Sequence, residues 1–155
     1  MKIITYRTEL DEDRKNVLVK ETSGYYSDVQ ATNSPEGLVK MVNAVFHAER
    51  LAEEHSYLIA LDQKFHVIGV FDLSHGMATA SFVGAREIFI RLCLCGATCF
   101  ALAHNHPSGD PMPSTEDFVI TKRLKECGDM MGLPMIDHII IGNQRYYSCK
   151  ENNTL

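Results

Sequence analysis

Positive charge is the first thing this sequence has little of: 15 Lys and Arg stand against 20 Asp and Glu, for a net charge of −5 and a pI near 5.8. Basic residues nowhere run together, so the chain lacks the electrostatic footprint of a protein that wraps a phosphate backbone, and direct nucleic-acid binding is not expected. Long apolar runs are also missing. No stretch approaches the ~20 residues that a membrane span requires, and Met1-Lys2-Ile3-Ile4-Thr5-Tyr6-Arg7 turns polar too early for a secretory signal. The expectation is a cytoplasmic protein with no membrane partner. Cysteine is sparse and irregular. Five residues without regular spacing make no disulfide framework. Cys93, Cys95 and Cys99 read as the buried end of a helix running into a buried strand, where a free thiol behaves as a small apolar group, and Cys127 and Cys149 are expected in the core as well. Repeats, low-complexity tracts and linkers are absent. A chain of 155 residues that is 45% hydrophobic can bury a core without a metal or disulfide staple.

The pattern of what is present alternates strands and helices. Two strand-like runs at 2–9 and 16–21 flank the charged turn Asp11-Glu12-Asp13-Arg14 and predict a hairpin. Ser34-Pro35-Glu36 opens a helix with Pro at its first position; Leu38, Met41, Val42, Val45 and Phe46 then share a face, and the helix is expected to run to about Ala52. Residues 56–62 and 65–73 form an antiparallel pair around Gln63-Lys64, with a short strand expected at 79–82. Gly84-Ala85-Arg86-Glu87 starts a second helix that Gly96 ends, and 100–104 is a buried strand. A third helix spans Ser114 to about Met131 with Phe118, Leu124 and Cys127 inward, and strands at 135–141 and 145–149 close the chain. The expected fold is α/β, a mixed sheet flanked by about three helices, with a site where strand ends meet helix N-termini.

One segment carries the chemistry. Residues 104–117 read His-Asn-His-Pro-Ser-Gly-Asp-Pro-Met-Pro-Ser-Thr-Glu-Asp. His104 and His106, one residue apart at a strand end, leave the backbone on the same face. Asp117 follows eleven residues after His106, beyond a turn rich in Pro and Gly that can fold its oxygen back to the same point. Two imidazoles and a carboxylate leave a fourth position for water, which is the pattern of a catalytic rather than a structural zinc site. Each residue also has a plainer reading. Ser114 and Asp117 form a helix N-cap, Ser-x-x-Asp, and both roles are compatible. Isolated histidines are commonly loop or core residues, but a cap explains neither member of the pair. Glu54, read alone, is a solvated carboxylate at a helix end beside Glu53.

From His104-Asn105-His106-Pro107-Ser108-Gly109 outward, the chain resembles the RadC-type branch of the JAB/MPN (JAMM) metalloprotein superfamily, whose motif is an upstream Glu, then His-x-His, then Ser and Asp. Glu54-His55, Leu61-Asp62-Gln63-Lys64, Ala85-Arg86-Glu87-Ile88-Phe89 and Asp137-His138-Ile139-Ile140-Ile141-Gly142 stand in the same order, so the likeness covers about 34–150. The resemblance implies a JAB/MPN, cytidine-deaminase-like architecture at 34–150, preceded by an N-terminal hairpin or arm at 1–33 and followed by a tail at 151–155. It also implies zinc held by His104, His106 and Asp117, with Glu54 as general base and Ser114 as a hydrogen-bond donor to a tetrahedral oxyanion, a contribution of about 3 kcal/mol for comparable donors. Asn105 and Ser108 are expected to shape the loop, and His138 to pair structurally with Asp137.

The function implied is zinc-dependent hydrolysis of a peptide or isopeptide. The alternative is a zinc-bearing binding protein without turnover, linked to DNA repair. RadC-type chains carry a helix-hairpin-helix region ahead of this domain; here about thirty unrelated residues precede it, so a DNA-binding role attached to that region does not transfer. A His-Asn-His nuclease is disfavoured, because such nucleases disperse their histidines over a ββα unit. A zinc deaminase is disfavoured by the lack of His-x-Glu followed by Pro-Cys-x-x-Cys. Neither the substrate's identity nor the oligomeric state has a sequence signature here.

Overall fold

In the computed structural model, which describes residues 1–75 and 84–155, seven strands form one mixed sheet. They are β1 (Lys2–Leu10), β2 (Asn16–Tyr25), β3 (His55–Leu61), β4 (Val67–His75), β5 (Cys99–Asn105), β6 (Met135–Ile141) and β7 (Tyr146–Ser148). Their order across the sheet is β2-β1-β4-β3-β5-β6-β7. The helices are α1 (Pro35–Phe46), α2 (Ala85–Cys95) and α3 (Thr115–Met131). The expected α/β architecture with three helices is what forms. The strand expected at 79–82 lies outside the described residues.

Strand alternation sorts the core into two layers. Tyr57, Ile59 and Leu61 of β3 and Ala101 and Ala103 of β5 pack under α1, whose Leu38, Met41 and Val42 are buried. Leu58 and Ala60 of β3 and Phe100 and Leu102 of β5 face the other way, against Ile88, Phe89 and Leu92 of α2 and Ile120 and Leu124 of α3. Every residue of β5 is buried, as expected of a central strand covered on both sides. β5 pairs antiparallel with β3 and parallel with β6, so Ser56 lies opposite His104 and His138 lies beside Leu102. The crossover that makes β5 and β6 parallel is α3 itself.

Helix ends follow their capping chemistry. The Ser34 hydroxyl accepts from the Gly37 amide with Pro35 in the first turn, and Gly96 and Gly132 end α2 and α3 in left-handed conformation. Three sequence expectations need correction. α1 stops at Phe46 rather than near Ala52: His47 turns left-handed (φ 55°), and a short 3-10 turn at 48–50 follows, with the Asn43 side chain accepting from the Glu49 amide. The apolar spacing continued past the stop because Ala48 is a core residue presented by non-helical backbone. Phe118 is exposed, not inward; the buried stripe of α3 is Asp117, Ile120, Thr121, Leu124 and Gly128. Cys99 and Cys149 are buried as expected, but Cys93 is exposed and Cys95 and Cys127 are half-buried, all five as free thiols.

Candidate metal centre

β5 delivers the histidines. His104 is its penultimate residue and points, with Phe100 and Leu102, to the α3 side; it is fully buried. His106 lies just past the strand, its amide bonded to the Ile141 carbonyl at 2.8 Å. The loop beyond it is pinned to the β6–β7 turn by the Asn143 amide on the Gly109 carbonyl at 3.0 Å. Gly109 is left-handed (φ 79°), and a Cβ there would sit 3.1 Å from that of Asn143, so glycine is required on both counts. The His106 ring is anchored by its Nδ1, 2.8 Å from the Asp110 carbonyl oxygen. The two Nε2 atoms of His104 and His106 then face each other at 3.1 Å.

Asp117 arrives from α3. Ser114 caps this helix: its hydroxyl accepts from the Asp117 amide at 3.2 Å, and Asp117 Oδ2 accepts from the Ser114 amide and hydroxyl at 2.7 Å each. Cap and site are thus the same pair of residues. Asp117 Oδ1 lies 3.2 Å from His104 Nε2, and Oδ2 lies 3.7 Å from His106 Nε2. Glu54 comes from the opposite wall, immediately before β3. Ligand atoms of Glu54, His104 and His106 lie within 4.8 Å of one another, the group of three able to hold a metal ion among the described residues.

Asn105, one residue before His106, explains why Glu54 is placed there. Its buried amide spans the neighbouring chain, donating to the Glu53 carbonyl at 3.0 Å and accepting from the His55 amide at 2.8 Å. Glu54 is the residue between those two clamped peptides. Ser108 shapes the loop by accepting from the Asp110 amide at 3.3 Å. His138 does not pair with Asp137. Successive strand residues face opposite layers, so Asp137 bonds Ser148 (2.6 Å) and the Lys150 amide (3.0 Å), while His138 turns to the metal side. There it meets His104 Nδ1 through Nε2 at 2.9 Å and Thr121 Oγ1 through Nδ1 at 2.6 Å. Thr121 was not singled out from the sequence; its signal was its place one helical turn beyond Asp117.

Burial sets the electrostatics. Desolvation holds His104 well below the usual imidazole range and lowers His138 to about 4, so both rings are neutral bases at pH 7. His106 is raised, chiefly by the Asp117 carboxylate, whose Oδ2 lies 3.7 Å from its Nε2. Burial opposes ionisation of Asp117, yet His106, His104 and Ser114 together hold its carboxyl well below the ordinary carboxylate range. Glu54 moves the other way, raised by burial. Imidazole nitrogens beside an ionised carboxylate are the donor set that divalent transition metals take. The residues open onto a cavity of about 460 Å³ lined by Glu54, His106, Pro107, Ser108, Ser114, Glu116 and Asp117.

This arrangement agrees with comparison to known proteins. Residues 32–154 match the family model described as a RadC-like JAB domain. The chain belongs to this family. Among curated relatives, the chain is 40% identical over 139 residues to a UPF0758 protein of Clostridium novyi (strain NT), covering 89% of this chain and 60% of that protein. It is 48% identical over 103 residues to a UPF0758 protein of Clostridium acetobutylicum, covering 66% of this chain and 45% of the relative. A UPF0758 protein of Clostridium perfringens is 42% identical over 123 residues, 79% and 53% of the two chains. The chain therefore spans about half the length of the curated relatives it matches. The RadC-like JAB domain and the Glu54–His104–His106 group fit a JAMM-type metal-binding domain. Among the described residues, no helix is long and apolar enough to cross a membrane.

Proposed function

We propose that this domain is a zinc-dependent hydrolase of peptide or isopeptide bonds, with His104, His106 and Asp117 as metal ligands and Glu54 as general base. The observation that carries the reading is that Glu54, His104 and His106 bring ligand atoms within 4.8 Å of one another, with Asp117 Oδ1 3.2 Å from His104 Nε2, at the wall of an open cavity. Zinc bonds of about 2.1 Å directed to a tetrahedron place neighbouring ligand atoms about 3.4 Å apart. The His104 Nε2–His106 Nε2 and His104 Nε2–Asp117 Oδ1 separations of 3.1 and 3.2 Å lie close to that value, and the 3.7 Å approach to His106 Nε2 is made by the other oxygen of Asp117, Oδ2. When bound, zinc would supply Lewis acidity toward a carbonyl and bring the pKa of a water toward neutrality.

The remaining work falls to the protein. Glu54, half-buried and with its pKa raised by burial, is suited to take a proton from water in the cavity and return it to the leaving nitrogen. Asn105 holds the Glu54 backbone in place from both sides. Ser114 lines the cavity, and its hydroxyl can exchange the bond to Asp117 for one to a developing oxyanion.

Metal analysis of untagged protein tests this reading. Wild type is expected to carry about one zinc per chain, lost in His104→Ala and Asp117→Ala and kept in Glu54→Gln. Peptide and isopeptide cleavage by Glu54→Gln should fall ~10²- to 10⁴-fold with the metal still present. Loss of metal in Glu54→Gln would make Glu54 a ligand rather than a base. A metal-free wild type purified without chelator would overturn the hydrolase reading and leave a binding domain.

A further inference from the structure

The hydrogen bonds behind His104 have a direction, and it can be read from a backbone carbonyl. The Thr121 hydroxyl lies 2.5 Å from the Asp117 carbonyl oxygen, which can only accept, so the single hydroxyl proton of Thr121 is committed to it. Thr121 Oγ1 must then accept at its other contact, so His138 donates from Nδ1 across 2.6 Å. A neutral imidazole has one N–H. His138 is wholly buried between Thr121 and His104 and therefore neutral, so its Nε2 is a bare acceptor, and His104 must donate to it from Nδ1 across 2.9 Å. His104, also fully buried, then has Nε2 left outside the relay. That atom lies 3.1 Å from His106 Nε2 and 3.2 Å from Asp117 Oδ1, an acceptor that draws a proton to Nε2 until a metal ion takes its place.

We propose that Thr121 and His138 form a one-way hydrogen-bond relay, anchored on the α3 backbone, that holds His104 in the tautomer and orientation able to bind a metal through Nε2. The proposal rests on the reading of His104 as a ligand. Thr121 and His138 are positioning residues and touch no substrate. The relay starts at Asp117, so the residue supplying the carboxylate ligand also sets, through its own carbonyl, the proton on the opposite ligand. The tautomer is inherited from helix geometry: Thr121 reaches the carbonyl four residues earlier because both lie on one face of α3. Without the hydroxyl, His138 has no acceptor at Nδ1 and can carry its proton on Nε2. His104 Nδ1 must then become the acceptor, and its own proton moves to Nε2, where it blocks coordination.

Two measurements test this. Nitrogen-15 NMR of zinc-loaded wild type at pH 7.5 should show His138 protonated at Nδ1. Zinc affinity, measured by competition with a chromophoric chelator, should weaken ~10- to 100-fold in Thr121→Val and be restored in Thr121→Ser, which keeps the hydroxyl. A proton on Nε2 of His138 in zinc-loaded wild type overturns the relay, as does a Thr121→Val variant that folds and binds zinc as tightly as wild type. Should Thr121→Val not fold, the NMR assignment and Thr121→Ser still decide the matter. Zinc uptake with His138 protonated on Nε2 refutes the relay alone; no zinc uptake by wild type refutes the metal reading instead.

Discussion

Acid should unfold this domain through its buried imidazoles, and the size of the effect can be worked out from His138. Its ring is completely buried and its pKa lies near 4 instead of the ordinary 6.5. Above pH 6.5 the ring is neutral whether the chain is folded or not. Below it, the unfolded chain binds a proton that the native protein refuses until about pH 4. Stability is thus present above the unfolded value and lost as pH falls through the window, by about 1.4 kcal/mol per pH unit. From pH 7 to 5 the loss is about 2 kcal/mol, and about 3 kcal/mol when the window is fully crossed. His104, also lowered, adds to it, and Asp117, whose folded carboxyl is depressed, adds a further loss at lower pH. His106, Glu54 and Asp137 are raised and act in the opposite sense. A difference between two proteins removes the contributions that do not depend on His138, and the part of the His104 shift that His138 causes acts in the same direction as the His138 effect. Urea unfolding at pH 7 and pH 5, with chelator present, should show wild type losing about 2 kcal/mol more than His138→Gln, whose amide keeps one donor and one acceptor but does not titrate. Equal losses in the two proteins would refute the assignment of His138 as a buried neutral base.

Three further outcomes are expected. Gly128→Ala, in the last turn of α3, should on helix propensity alone gain up to about 1 kcal/mol. Here a Cβ would sit 2.5 Å from the Leu133 carbonyl oxygen and 3.2 Å from Phe100, so net destabilisation of about 1–2 kcal/mol and a Tm lower by several degrees are expected; a raised Tm would show that the turn yields. Asn105→Ala strips the Glu53 carbonyl and His55 amide of their partner and should cost about 2 kcal/mol in urea unfolding, with a change below ~0.5 kcal/mol showing that water replaces the amide. With a thiol reagent, exposed Cys93 should react at once, whereas Cys99 and Cys149, buried with their thiols pushed up, should wait for denaturant; prompt labelling of Cys149 in folded protein would contradict its burial.

Much of the fold and part of the site was legible in the residues, for local reasons. β5 could be read because it is apolar throughout and ends in His-x-His, and strand alternation alone puts both rings on one side. Ser114-x-x-Asp117 announced a helix start, and the cap geometry that makes it one also turns Asp117 toward the histidines. The inward face of α3 was misread for an instructive reason. Asp117 and Thr121 occupy the buried stripe, where patterning looks for apolar residues, and Phe118, turned about 100° from Asp117, is left outside. Function displaced hydrophobicity from the face that would have revealed it.

The sequence by itself determined the element order, the mixed α/β class, the strand end that carries the histidines and the helix start that carries Asp117, because each depends on period, caps and turn residues within a few positions. The tertiary structure alone decided which groups meet. Glu54 reaches the site because Asn105, about fifty residues away, clamps the peptides on either side of it. His138 parts from its neighbour Asp137 and joins His104 and Thr121 because β6 lies parallel to β5 with α3 packed over that face. Those contacts cross three elements distant in the chain, and no local preference of the backbone encodes them.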